Sequence, residues 1–174
     1  MKTVLMLGDS LVEWGDWQTL LPEYIIINRG MAGECTEGLA GRIIDELNSV
    51  AEPDAVLVQS GTNNLLMGSL HFPAIHSSMV PTVRIFYPHC PIIISSLMPM
   101  SIVPTHKLDE ANKQLQDITK QTENCFFLDM VPPFNEKCLP LTKPGFLNDK
   151  VHLSTRGYQV WAAEIATCLQ NIWP

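Results

Sequence analysis

Val4-Leu5-Met6-Leu7 is a short run of branched and long apolar residues that ends in Gly8-Asp9-Ser10-Leu11. The run is too short for a membrane span and is closed by a glycine. It therefore predicts a strand buried on both faces, as parallel sheets require. Gly8 permits a sharp turn, and Ser10 then stands at the carboxyl end of that strand, where open α/β sheets place their ligands. A serine at such a turn becomes a nucleophile only when a base, an orienting carboxylate and oxyanion donors are brought to it.

Further strands are predicted at Tyr24–Asn28, Ala55–Gln59, Pro91–Ser95 and Cys125–Asp129, each β-branched or aromatic, the first two followed by polar or glycine-containing loops. Helices alternate with them. Thr36 to Leu47 is expected to be helical, with Thr36 as cap and Leu39, Ile43, Ile44 and Leu47 on one face. A helix carrying Met79, Val80, Val83 and Phe86 should end before Pro88, with Pro81 in a first turn or at a kink. Lys107–Thr122 and Ser154–Ile172 complete the set, the last capped by Ser154. Leu11–Leu21 reads as a short helix or ordered loop, Pro132–Asn148 as mostly loop, and Leu97–Pro104 as an irregular apolar loop suited to a pocket wall. Every crossover is long enough for parallel pairing, which predicts an α/β fold in one domain spanning residues 1–174.

Eleven basic residues against eighteen acidic ones give a net charge of −7, with no basic cluster, which argues against nucleic acid and anionic membrane surfaces as partners. The acidic balance bears on solubility and leaves the oligomeric state open. Five scattered cysteines without a Cys-x-x-Cys pair read as free thiols of a reducing compartment rather than as zinc ligands. With no apolar leader and no spanning segment, the expected location is cytoplasmic, and no metal or other cofactor is expected.

Near the carboxyl end, Asp149 and His152 are three residues apart in a short polar segment. That spacing can return the carboxylate onto the imidazole, fixing its tautomer while the other ring nitrogen accepts a serine proton. Taken alone, the pair also fits a surface turn with a helix-capping acid.

Gly8-Asp9-Ser10-Leu11, Gly33 after the second strand, Gly61-Thr62-Asn63-Asn64 after the third and Asp149-x-x-His152 occur in an order that, across essentially the whole chain, resembles the GDSL-type (SGNH) hydrolase family. His152-Leu153-Ser154-Thr155-Arg156-Gly157-Tyr158 resembles that family's segment after the histidine. The resemblance implies a flavodoxin-like three-layer sandwich around a five-stranded parallel sheet in the order 2-1-3-4-5. It implies Ser10 as nucleophile, His152 as base and Asp149 as its partner, with an oxyanion hole from Ser10, Gly33 and Asn63. The family's third block usually ends in aspartate. Asn64 stands there instead, a form similar to that of the platelet-activating-factor acetylhydrolase branch.

The expected function is serine-dependent hydrolysis of a small-molecule carboxylic ester through an acyl-enzyme, with small to medium acyl groups on a lysophospholipid, thioester or acetylated carbohydrate. Trp14 and Trp17 could line one side of an acyl pocket, with Leu66, Met67, Met98, Met100, Ile102 and Val103 opposite, although tryptophan also packs cores. Asn28 and Arg29 serve structure or substrate binding, and Asp9 holds its loop. His71, His76, His89 and His106 are assigned to the surface or the substrate rim. A non-catalytic binding module on the same fold is the alternative. A flavin or nucleotide binder is disfavoured because Asp9 and Glu13 in the first loop would repel phosphate.

Overall fold

Val4 to Leu7 are fully buried in β1 (Lys2–Gly8), the strand on which the sheet is assembled. The computed structural model describes residues 1–139, 142 and 144–173. β1 pairs in parallel with β2 (Tyr24–Gly30) on one side and β3 (Ala55–Gln59) on the other. β4 (Ile92–Ser95) and β5 (Cys125–Leu128) extend the sheet, whose order is 2-1-3-4-5. This is the expected flavodoxin-like α/β arrangement.

Alternation along the strands builds two cores. Val4, Met6, Ala55, Leu57 and Ile93 face one side, where they meet α1 (Ser10–Glu13), α2 (Trp17–Leu20), α7 (Val131–Lys137) and α8 (Thr155–Ile172). Leu5, Leu7, Val56, Val58, Ile92 and Ile94 face the other, under α3 (Thr36–Ser49), α5 (Phe72–Phe86) and α6 (Thr105–Lys120). Burial of both faces is why the strands read as continuous apolar runs. The short α4 (Thr62–Leu66) follows β3 directly.

Several local expectations change. Cys35, not Thr36, occupies the N-cap of α3, and Ile44 is exposed because the apolar face of that helix is the narrower stripe of Leu39, Ile43 and Leu47. α5 begins at Phe72, so Pro81 lies well inside it, on the solvent side, with Pro73 in the first turn. Pro132 and Pro133 open α7 rather than prevent it. The first turn has no intrahelical use for their missing N–H groups, so the stretch expected to be loop starts as helix. Positions 140, 141 and 143 of that stretch lie outside the described residues. Ser154 does cap α8, accepting from the Gly157 N–H.

At the end of β1, Gly8 is paired with Gly30 and with Gln59, so backbone closes on it from both sides. A Cβ at this position would run into the Gln59 carbonyl oxygen and the Val12 side chain, neither of which can withdraw without breaking sheet or core. Gly8→Ala is therefore expected to destabilise the fold by about 1–3 kcal/mol or more, read as a lower urea midpoint at unchanged slope.

Candidate active site

The chain leaves β1 through Asp9, whose carboxylate caps α1 by accepting the Leu11 N–H at 2.9 Å. This sharp entry makes Ser10 the first residue of the helix, where its own N–H has no intrahelical partner. The Ser10 side chain is almost covered, at 6% exposure. Its Oγ lies 3.2 Å from His152 Nε2. His152 Nδ1 in turn lies 2.7 Å from Asp149 Oδ2, which makes Nδ1 the protonated nitrogen and leaves Nε2 free to accept from Ser10.

A tight turn produces the second contact. Lys150 adopts φ 63°, the left-handed region, and its N–H donates to the Leu147 carbonyl. The turn folds Asp149 back so that Oδ1 accepts both the Val151 and His152 N–H groups at 2.9 Å, leaving Oδ2 for the imidazole. The hydrogen bond from His152, followed by those from the backbone, holds the Asp149 carboxyl down at about 2. Leu147 N–H to His152 O and the Phe146–Leu153 bridge close this loop, and α8 begins at once behind it. Tyr158 on α8 donates its hydroxyl to Leu11 O at 3.0 Å, tying the histidine's support to the helix that carries Ser10.

The loop after β2 is tethered to the same strand end, since the Met31 N–H donates to Gly8 O at 2.9 Å. Gly33 in that loop has φ 78°, and a Cβ there would meet nothing, so glycine is needed for its backbone conformation. Asn63, at the start of α4, donates Nδ2 to Glu34 O at 2.9 Å, which joins the loop after β3 to the Gly33–Glu34 segment. One Nδ2 hydrogen of Asn63 remains for a ligand.

Asn64 explains its own departure from aspartate. Its Oδ1 accepts the Thr36 N–H while its Nδ2 donates to Glu37 Oε2 at 2.7 Å. An aspartate could make the first bond but would set two carboxylates face to face in the second. Two further contributions, from Arg42 and from Trp14 as a partner of His152, carry no signal in the sequence. Arg42 binds both carboxylate oxygens of Glu34, then Glu46, and also reaches the Gly8 and Arg29 carbonyls. Trp14 stacks on His152, with ring centroids 4.1 Å apart.

The expected pocket lining divides. Trp14, Leu66, Met67 and Ile102 are exposed and Val103 is half-buried. Trp17 is not at the surface: it packs edge-on against Trp161 and Tyr158 and donates Nε1 to Val12 O. Met98 and Met100 are buried, one in each of the two cores, so the segment leaving β4 packs into the interior instead of lining a pocket. Asn28 holds Val12 O, Glu13 O and the Gly30 N–H, and Arg29 pairs with Glu46, so both act structurally. His76 departs from its expected rim position. It is buried with Nε2 donating to Ser60 O, and burial pushes it down to about 4, which keeps it neutral.

The described cysteines are free, and burial pushes Cys90 up to about 12 and Cys125 and Cys168 up to about 11, so these thiols do not compete as nucleophiles. A cavity of about 900 Å³ around Arg84, His89 and Glu123 opens near the segments entering β4 and β5, away from the triad. There the Arg84 guanidinium is already occupied by the carbonyls of Tyr87, Pro88, Cys90, Glu123 and Asn124.

A parallel 2-1-3-4-5 sheet with a hydrogen-bonded Ser-His-Asp chain at its carboxyl edge defines a hydrolase on a flavodoxin-like scaffold. The model of the GDSL-like Lipase/Acylhydrolase family matches residues 6–160, and the chain belongs to that family. It is accordingly an ester-hydrolysing enzyme acting on a small-molecule ester. Platelet-activating factor acetylhydrolase IB subunit alpha1 of Rattus norvegicus is 25% identical over 163 residues, covering 89% of this chain and 69% of the relative. A lipase/acylhydrolase from Enterococcus faecalis superposes with TM-score 0.82 at 19% identity, covering 98% of this chain and 96% of that one. A family 3 carbohydrate esterase of Clostridium thermocellum gives 0.77 at 18% identity, with 99% of each chain covered. Among the described residues, no helix is long and apolar enough to cross a membrane.

Asp9 supplies a test of these electrostatics. It is 1% exposed and its Oδ2 has no partner, and burial raises its carboxyl from 3.8 to about 6. Because the folded value lies above the unfolded one, this group's contribution to stability is complete below about pH 4 and is lost as pH rises through about 6. Asp9→Asn keeps the acceptor for Leu11 and cannot ionise. Its unfolding free energy should gain on wild type by up to roughly 3 kcal/mol between pH 4 and 7.5 in urea titrations. A difference that stays constant across that range would show that the carboxyl is not held there.

Proposed function

We propose that this enzyme cleaves carboxylic esters through an acyl-enzyme on Ser10, within one hydrolase domain that spans residues 1–174. The observation that carries this reading is the continuous Oγ–Nε2 and Nδ1–Oδ2 chain of 3.2 and 2.7 Å from Ser10 through His152 to Asp149. Ser10 Oγ attacks the ester carbonyl as His152 Nε2 takes its proton. Asp149 holds the resulting imidazolium. The carbonyl oxygen, now anionic, is received by the N–H groups of Ser10 and Gly33 and by Asn63 Nδ2. On collapse the alkoxide departs with the proton from His152, leaving the acyl group on Ser10. Water then enters by the same base and releases the acid, restoring Ser10.

Exposed Leu66, Met67 and Ile102, together with half-buried Val103, support an acyl group of small to medium length on the carboxyl edge of the sheet. A lysophospholipid, a thioester or an acetylated sugar would each present such a group. The names of a platelet-activating-factor acetylhydrolase and a carbohydrate esterase among similar proteins are compatible with two of these.

Hydrolysis of p-nitrophenyl acetate, butyrate and octanoate by wild type and Ser10→Ala tests the chemistry. Turnover should vanish in the variant, and the chain-length order sizes the acyl site. Equal activity in both proteins would remove Ser10 from its role. Asn63→Ala should lower kcat by about 10² to 10³, since it deletes one oxyanion donor and the anchor of Glu34. An unchanged kcat would move that donor elsewhere.

A further inference from the structure

Trp14 stands apart from the other large aromatic side chains near the site. Trp17 and Trp161 are buried in the core, whereas Trp14 is 53% exposed and belongs to neither core cluster. Its aromatic partner is His152, at a centroid distance of 4.1 Å and an interplanar angle of 25°. Its backbone is equally well placed, because the Trp14 N–H closes α1 by donating to the carbonyl of Ser10 at 3.0 Å. The same turn thus carries the nucleophile and a flat surface lying on the base.

Hydrogen bonds leave one freedom of His152 unrestrained. Ser10 and Asp149 engage the two ring nitrogens of the imidazole, and two such contacts leave the ring able to tilt about the line between them. A ring stacked on one face does. The indole face is also the negative pole of its quadrupole, so it attracts the imidazolium formed when His152 takes the Ser10 proton more than the neutral imidazole before it. It keeps water off that face as well.

We infer that Trp14 is a positioning residue for His152, a platform that fixes the plane of the base and favours its protonated form during acyl transfer. This inference rests on the acyl-enzyme reading of Ser10 for its catalytic meaning but on geometry for the stack. The role differs from that of a substrate wall. A wall would act on KM, whereas a platform under the base acts on kcat.

The experiment compares Trp14→Ala and Trp14→Phe in steady-state kinetics and in proton NMR of protein carrying isotope-labelled histidine. The ring-proton resonance of His152, identified by its loss in His152→Ala, should lie upfield in wild type through the indole ring current. It should move downfield in Trp14→Ala. In the same variant kcat should fall about 3- to 30-fold with KM little changed, and Trp14→Phe should recover most of it because a phenyl face remains. A resonance that does not move would show that the rings do not stack and would overturn the inference. So would a resonance that moves without loss of kcat, or a rise confined to KM. Ser10→Ala keeps the resonance upfield whether or not hydrolysis passes through Ser10. Persistent activity in that variant would therefore sink the acyl-enzyme reading separately from the stack.

Discussion

Pairing of Gly8 with Gly30 on one side and Gln59 on the other sets where three strands stop, and Ser10, Gly33 and Asn63 are hung from those stops. In the order 2-1-3-4-5 the chain runs outward from β1 to β2 and then crosses back to β3, so the loops after these strands open away from each other at β1. A crevice at such a reversal follows from connectivity. Ser10 follows β1, Gly33 follows β2 and Asn63 follows β3, each within a few residues of backbone held by sheet hydrogen bonds.

Polar tethers then hold these loops in register. Asn63 takes the Glu34 carbonyl, Glu34 takes Arg42, and Arg42 reaches the carbonyls of Gly8 and Arg29. The chain of contacts runs from the oxyanion loops back to the strand ends. Arg42 is mostly covered, and such a charge is tolerated because its donors face the Glu34 and Glu46 carboxylates as well as main-chain oxygens. Burial costs are met less completely at Asp9, which caps the helix that carries Ser10 with one oxygen and leaves the other without a partner.

The candidate catalytic residues were legible because their signals are local. Strand runs ending in Gly8-Asp9-Ser10 and in Gly61-Thr62-Asn63-Asn64 announce polar groups at strand ends. Asp149 and His152 are close enough in sequence for one turn to join them. The pocket wall was not legible. Composition cannot distinguish Trp14 from Trp17, or Ile102 from Met98, because burial depends on which way the chain turns after each element and on what packs above it. His76 shows the same limit: a polar residue on a helix reads as surface until the helix is seen to place it beside the Ser60 carbonyl.

The amino-acid sequence by itself determined the five strands, their parallel pairing, the family and the candidate Ser10, Asp149 and His152 set, since these rest on periodicity, on crossover length and on motifs in order along the chain. Only the tertiary structure decided that Arg42 clamps Glu34, that Asn64 must donate to Glu37, that Tyr158 ties α8 to the helix that carries Ser10 and that Trp14 lies on His152. These contacts join residues from elements whose relative placement is set by the packing of two cores against one sheet. No local pattern carries that information.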